Sequence, residues 1–352
     1  MRGGRASRTG RTWANVLLLL VSTLVSLALA EVAARAYWRL AFAASFFHPD
    51  RVLYAFYPEL KEVNRARPIR EDRFQDVLLL GGSTLQKEWG EVEQALAERL
   101  AYAGHRNVRI HNLAREAHTS RDSLLKYDAL SRARFDLVVL YDGINEARVN
   151  NVPPALYRDD YGHYSWYATV NALAPYHGRA RLALPMTAHL LLTSMRRVLQ
   201  PDRYVPTGWP RQDWLVYGGD LRSAASYRKN LGEILDVARR RGDPVLLLTF
   251  ATYVPRNYAR LAFKAGRLDY GRHLVPLEMW GAPDHVQEAV AAHNAVVRDL
   301  AAHTPGVRFV DVEERLAGQA RFFNDPCHLT VEGSMAFADA LLPTVLDVLG
   351  RP

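Results

Sequence analysis

Short apolar runs alternate with amphipathic stretches through most of this chain. Val77-Leu78-Leu79-Leu80, Val108 to Leu113, Asp136 to Tyr141, Val245 to Phe250 and Val307 to Val312 read as buried strands. Between them lie stretches of helical spacing. Glu88 to Ala103 places Trp89, Val92, Leu96 and Leu100 on one face, and Ser120 to Arg132 does the same with Leu124, Tyr127 and Leu130. Ala224 to Arg241, Asp284 to His303 and Val331 to Leu349 continue the pattern. Five strands separated by helices predict an α/β fold whose parallel sheet is covered on both faces. Such sheets bind ligands at the carboxyl ends of their strands.

Two regions break this rhythm. Trp13 to Ala30 runs without a charge before Glu31 and Arg35 close it. At about 1.5 Å per residue it covers about 27 Å, close to the ~30 Å hydrocarbon core of a bilayer. Arg2, Arg5, Arg8 and Arg11 precede it with no acid among them, and Trp13 and Tyr37-Trp38 suit interfacial aromatic belts. One reading is an uncleaved signal-anchor in the bacterial inner membrane, with the rest of the chain in the periplasm. The other is a cleaved signal peptide with Ala28-Leu29-Ala30 at its end and a secreted product. The length of the run favours the anchor. The second break is residues 150–219, rich in Tyr, Trp and Pro, with a helix predicted near Ala180–Leu199. A folded insertion on the sheet edge and a substrate lid both fit it. The expected plan is a basic cytoplasmic arm (1–12), a transmembrane helix (13–35), a juxtamembrane connector (36–75) and one α/β domain (76–350) carrying the insertion.

Composition changes this picture little. Hydrophobic residues make up 49% and charged residues 23%, an ordinary globular balance. Of the net charge of +8, half sits in the first twelve residues, so the basic surplus is a topology signal and nucleic acid is not an expected partner. Cys327 is the only cysteine, which rules out an internal disulfide and a cysteine-based zinc cluster. The histidines show no metal-ligand spacing. No metal or cofactor is expected.

The candidate chemistry lies where the strands end. Gly81-Gly82-Ser83-Thr84 follows the first strand, where a serine Oγ would face the ligand crevice. Taken alone it reads equally well as a strand-to-helix turn, with Ser83 or Thr84 as a helix cap. It matches neither the phosphate-loop nor the G-x-S-x-G pattern. In Asp325-Pro326-Cys327-His328, before the closing helix, the carboxylate can hold one imidazole nitrogen. The other nitrogen is then free to take a proton from a hydroxyl. Cys327 reads as a small loop filler with its side chain turned away from His328. Asn145, in Gly143-Ile144-Asn145-Glu146 after the third strand, offers an amide to a developing oxyanion. A backbone N–H in the loop from Asn112 to Ser120 supplies a further donor.

With these four blocks the chain resembles the SGNH (GDSL-type) hydrolases over about Asp76 to Leu349, with Gly82 in place of that family's usual Asp. The resemblance implies a flavodoxin-like three-layer α/β/α sandwich. It implies Ser83 as nucleophile, His328 as base, Asp325 as its orienter, and Gly82 and Gly143 in support. It also implies an oxyanion hole from the Ser83 N–H, a second-block N–H and Asn145. The second block departs from the family pattern: the usual Gly falls on Ala117, and Ala tolerates positive φ poorly. The expected activity is hydrolysis of O-acyl esters, with acylated carbohydrate among the candidate substrates. The alternative passes the acyl group to an envelope polysaccharide. A third reading keeps the fold without catalysis, and intact Ser83, Asn145, Asp325 and His328 argue against it.

Overall fold

A computed structural model describes residues 6–68, 73–206 and 209–350. Arg2 and Arg5 of the basic arm lie outside the described residues. In chain order the elements are α1 (Ala6–Phe42), α2 (Leu60–Ala66), β1 (Gln75–Gly81), α3 (Val92–Tyr102), β2 (Val108–Asn112), α4 (Ser120–Ala129), β3 (Leu137–Tyr141) and α5 (Ile144–Val149). Then come α6 (Ser165–Leu173), α7 (Leu184–Leu199), α8 (Ser223–Arg241), β4 (Val245–Leu248) and α9 (Arg260–Lys264). The chain ends with α10 (Pro283–His303), β5 (Arg308–Val310), α11 (Val312–Leu316) and α12 (Val331–Leu349). They form two compact units. One is the N-terminal chain up to Tyr57 together with Thr169–Leu199; the other is Pro58–Ala168 together with the chain from Gln200 onward.

The larger unit holds a five-stranded sheet of order β2-β1-β3-β4-β5, parallel throughout. This is the flavodoxin-like winding, with the β1/β3 boundary as its switch point. Successive side chains of a strand point to opposite faces, and here both sets are buried. Val77, Leu79, Val139 and Leu246 join Leu96 of α3 and Phe337 of α12 in one core. The alternate residues Leu78, Leu80, Val138 and Leu247 are equally buried, and α4, α8 and α10 pack successively against one another. Helices on both faces make the three-layer sandwich.

β2 and β4 end short of their apolar runs, at Asn112 and Leu248, and side chains take over backbone groups there. Asn112 Oδ1 accepts from Ala114 N–H at 2.9 Å and turns the chain out of β2. Asn294 Oδ1 accepts from Phe250 N–H at 2.6 Å beyond β4. The helix expected from Glu88 begins at Val92, so Trp89 belongs to a turn and not to a helical core face.

In the smaller unit α1 continues to Phe42, past the expected end at 35. Its residues from Arg11 to Phe42 have a mean hydropathy of 2.4 in their most apolar window, and none of that window is buried. The helix is long and apolar enough to cross a membrane, and a signal sequence meets the same description. Glu31 and Arg35 do more than end the apolar run. The Glu31 carboxylate accepts the Ala183 and Leu184 N–H groups at 2.8–2.9 Å, filling donors that a helix N-terminus leaves open. Arg35 pairs with Glu31 at 2.6 Å and donates to the Arg181 and Phe46 carbonyls. Trp38 Nε1 donates to Thr187 Oγ1 at 2.8 Å. Ala34 and Trp38 pack with Ala183, Met186 and Leu190 in a small core. The opposite stripe of α7 (Leu191, Leu192, Met195, Val198 and Leu199) is exposed. The interval 150–219, continuous in composition, is thus divided between the two units.

Candidate active site

Ser83, Asp325 and His328 come from opposite ends of the larger unit's sequence and meet at the carboxyl edge of the sheet. Ser83 begins a single 3-10 turn after Gly82, next to the switch point. His328 Nε2 lies 2.8 Å from Ser83 Oγ, and His328 Nδ1 lies 2.7 Å from Asp325 Oδ2. All three are buried. Asp325 accepts more than the imidazole. Its Oδ1 takes the Cys327 and His328 N–H groups at 3.0 and 2.9 Å, and Oδ2 also takes Val275 N–H at 3.1 Å. These bonds hold the carboxylate where it can orient one imidazole tautomer, leaving Nε2 toward the hydroxyl.

The loop after β2 is tied to the first block. Gln86 Oε1 accepts Glu116 N–H at 2.6 Å, and Asn112 Nδ2 donates to Leu85 O at 2.7 Å. Ala117 stands at φ 61°, the left-handed region that usually falls to Gly. The position demands that backbone even though this chain supplies Ala. Among the described residues neither Ser83 nor Ala117 uses its N–H in a hydrogen bond. Asn145 is held from both ends: Nδ2 donates to His118 O at 2.7 Å, and Oδ1 accepts from Trp280 Nε1 at 2.9 Å. One amide hydrogen stays uncommitted beside Gly82. A Cβ on Gly82 would stand 2.7 Å from Asn145 Nδ2, and one on Gly143 would stand 2.7 Å from Phe250 Cβ. Both glycines keep their neighbours close. Ser83, Ala117 and Asn145 line the same pocket.

Two residues reach the site that the local pattern does not assign to it. Trp89 stacks on the His328 ring, with centroids 4.4 Å apart and planes at 24°. The Trp280 ring lies tilted at 43° to the same imidazole, with centroids 6.4 Å apart. Trp280 belongs to the chain between β4 and α10, where the periodicity predicts nothing. Cys327 differs from expectation in one respect: its Sγ faces His328 Nδ1 at 3.7 Å instead of turning away. It is fully buried, and burial next to Asp325 pushes its thiol well up, so it packs as a filler and not as a nucleophile. The Asp325, Cys327 and His328 donor atoms lie within 4.8 Å of one another. Both nitrogens of His328 are engaged with Asp325 and Ser83.

A pocket of about 510 Å³ opens over Ser83, lined by His118, Arg148, Tyr164, Trp166, Tyr167 and Trp280 among others. Burial holds His118 down to about 4, so it is neutral at pH 7. Asp142, just before α5, and Glu146, on it, are buried carboxyls that form no ion pair among the described residues. Burial raises Asp142 to about 7, and burial together with Asp142 pushes Glu146 well up. Ser123 Oγ donates to Asp142 at 2.7 Å and Ser120 N–H donates to Glu146 at 2.5 Å.

No family model and no curated protein matches the chain. Similar solved structures include a GDSL-like lipase from Bacteroides thetaiotaomicron, at 13% identity over 83% of this chain and 97% of that one, with a TM-score of 0.46. A lipase/acylhydrolase from Enterococcus faecalis shares 14% identity over 79% and 99%, with a TM-score of 0.41. An acetyl-xylooligosaccharide esterase from Geobacillus stearmophilus shares 14% identity over 78% and 95%, with a TM-score of 0.40. At such identities and scores, the residues of the site itself carry its functional reading.

Proposed function

We propose that this chain is a serine ester hydrolase of the SGNH (GDSL) type, held at a membrane by α1 and acting outside the cytoplasm. The observation that carries the reading is the unbroken chain Ser83 Oγ, His328 Nε2, His328 Nδ1, Asp325 Oδ2, with links of 2.8 and 2.7 Å. A serine hydroxyl is too weak an acid to attack an ester unaided, and an imidazole within hydrogen-bond reach removes its proton as the bond forms. Asp325 orients the ring and stabilises the imidazolium. The Ser83 and Ala117 N–H groups and the Asn145 amide receive the oxyanion, and a single donor of this kind contributes about 3–4 kcal/mol. His328 then protonates the leaving alcohol. Water, deprotonated by the same nitrogen, releases the acid and restores Ser83.

Transfer to a sugar hydroxyl uses the same acyl-enzyme. The feature favouring it is the pocket, which at about 510 Å³ has room for an acceptor beside a short acyl group and presents Trp166 and Tyr164 for stacking. The test is p-nitrophenyl acetate turnover by the full chain in detergent, with and without Ser83→Ala. A Ser83-dependent rate is expected, and equal rates overturn both readings. Mass spectrometry of added glycans then divides transfer from hydrolysis. Reporter fusions after Trp38 test the topology, with activity expected only on the outer side.

A further inference from the structure

Among the described residues Arg148 stands in the pocket without a counter-charge. It follows Asn145 by three residues on α5, a spacing that puts the two on one helix face. It is 5% exposed and lines the space above Ser83. One Nη2 hydrogen goes to Ala117 O at 3.0 Å, and the guanidinium lies 5.6 Å from the Tyr164 ring centroid. Its Nε is buried with no partner, and among the described residues no carboxylate pairs with it. Lys126, equally buried, shows the contrast: it meets Glu59 at 2.7 Å. The acids nearest the pocket are engaged or outside it. Asp122 accepts from Trp166 Nε1 and Tyr167 Oη at 2.8 and 2.6 Å. Asp142 and Glu146 take the Ser123 hydroxyl and the Ser120 N–H. Glu116 lies on the exposed rim.

An arginine cannot discharge itself by losing a proton. A buried and unpaired guanidinium is costly, and the cost is offset when an anion arrives with the ligand. The planar fork suits two-oxygen anions, carboxylate or phosphate. Because Arg148 also touches the carbonyl of Ala117, that anion would sit within a side-chain length of the reacting ester. We propose that the natural substrate carries a carboxylate or phosphate close to its scissile ester, and that Arg148 binds it. This rests on the esterase reading above and adds its substrate class.

The test uses the full chain in detergent with three acetylated methyl glycosides: a glucoside, the glucuronoside, and the glucoside 6-phosphate. Wild type is expected to show kcat/KM at least about 10-fold higher for one of the charged esters than for the neutral one. Which charged ester wins identifies the anion. Arg148→Gln slows all three, since it also loses the Ala117 contact, but should bring the charged-to-neutral ratio to about one, with Arg148→Lys intermediate. A ratio near one in wild type, or a ratio preserved in Arg148→Gln, overturns the proposal. If Arg148→Gln does not fold, inhibition of wild-type p-nitrophenyl acetate turnover decides. Glucuronate or glucose 6-phosphate should inhibit at least about 10-fold more tightly than glucose, and equal inhibition overturns the proposal. Ser83-dependent turnover without preference removes only this inference; absence of that turnover removes the esterase reading with it.

Discussion

The two units spend their apolar residues in opposite directions. In the larger, the central strands bury both faces, and Val77 to Leu80 and Leu137 to Tyr141 are almost wholly enclosed. In the smaller, Leu17 to Leu20 of α1 are mostly exposed, and α7 carries two apolar stripes, one inward through Met186 and Leu190 and one outward through Leu191, Leu192 and Val198. A parallel sheet finds its apolar partner in its own crossover helices. Among the described residues α1 finds such partners only near its C-terminal end, at Ala34 and Trp38, so the exposed apolar surface before them suits an apolar medium. Composition reads the same in both places; what differs is whether the fold supplies the partner.

The comparison is testable from large effects to small. All chemistry is placed in the larger unit, so Ser83→Ala in the full chain should lower kcat by about 10⁴-fold or more, measured with p-nitrophenyl acetate. A residual rate near wild type moves the nucleophile elsewhere. On α7 the two stripes should answer differently in thermal unfolding of the detergent-solubilised chain. Leu190→Ala, on the inward face, should cost about 2–5 kcal/mol, whereas Leu192→Gln should change stability by no more than about 0.5 kcal/mol. Equal losses would mean that the outward stripe has a partner in the protein.

Within the site, Gly82→Ala drives a Cβ to 2.7 Å from Asn145 Nδ2. It should lower kcat by about 100-fold with the fold intact by circular dichroism, and unchanged kcat would remove Asn145 from the proposed oxyanion donors. The buried carboxyls give a pH effect of defined sign. Asp142 is held up to about 7 against an ordinary 3.8, so between these values the folded chain keeps a proton that the unfolded chain has lost. Stability from this group is present below about 3.8 and is lost as pH rises through 7. Asp142→Asn should therefore gain in thermal midpoint relative to wild type on going from pH 5 to pH 8; a flat difference contradicts the assignment. The smallest effect is at Ala117. Ala117→Gly should raise stability by up to about 1 kcal/mol, since the left-handed backbone at φ 61° costs Ala but not Gly. A loss would show that the methyl group packs usefully.

The sheet was legible because its signals are local. Branched apolar runs between amphipathic stretches place β1 to β5 within a few residues of their positions, and the errors fall at strand ends where Asn112 and Asn294 capture backbone groups. Ser83, Asn145, Asp325 and His328 were legible because the ends of parallel strands converge on one edge. Trp89 was misread as a helical core residue, since spacing cannot tell a helix from the turn before it.

The sequence alone determined the five strands and the long helices between them, the apolar N-terminal helix and the candidate residues at the strand ends, all written in periodicity and short motifs. Only the tertiary structure decided that Trp89 and Trp280 come up to the His328 ring and that Glu31 and Arg35 bind the chain at the start of α7. It also decided that the aromatic interval is shared between two units and that, among the described residues, Arg148 is left without a counter-charge above Ser83. Each of these depends on partners far apart along the chain. Local patterning sets the secondary structure; the missing partner of a buried charge exists only once every other partner is in place.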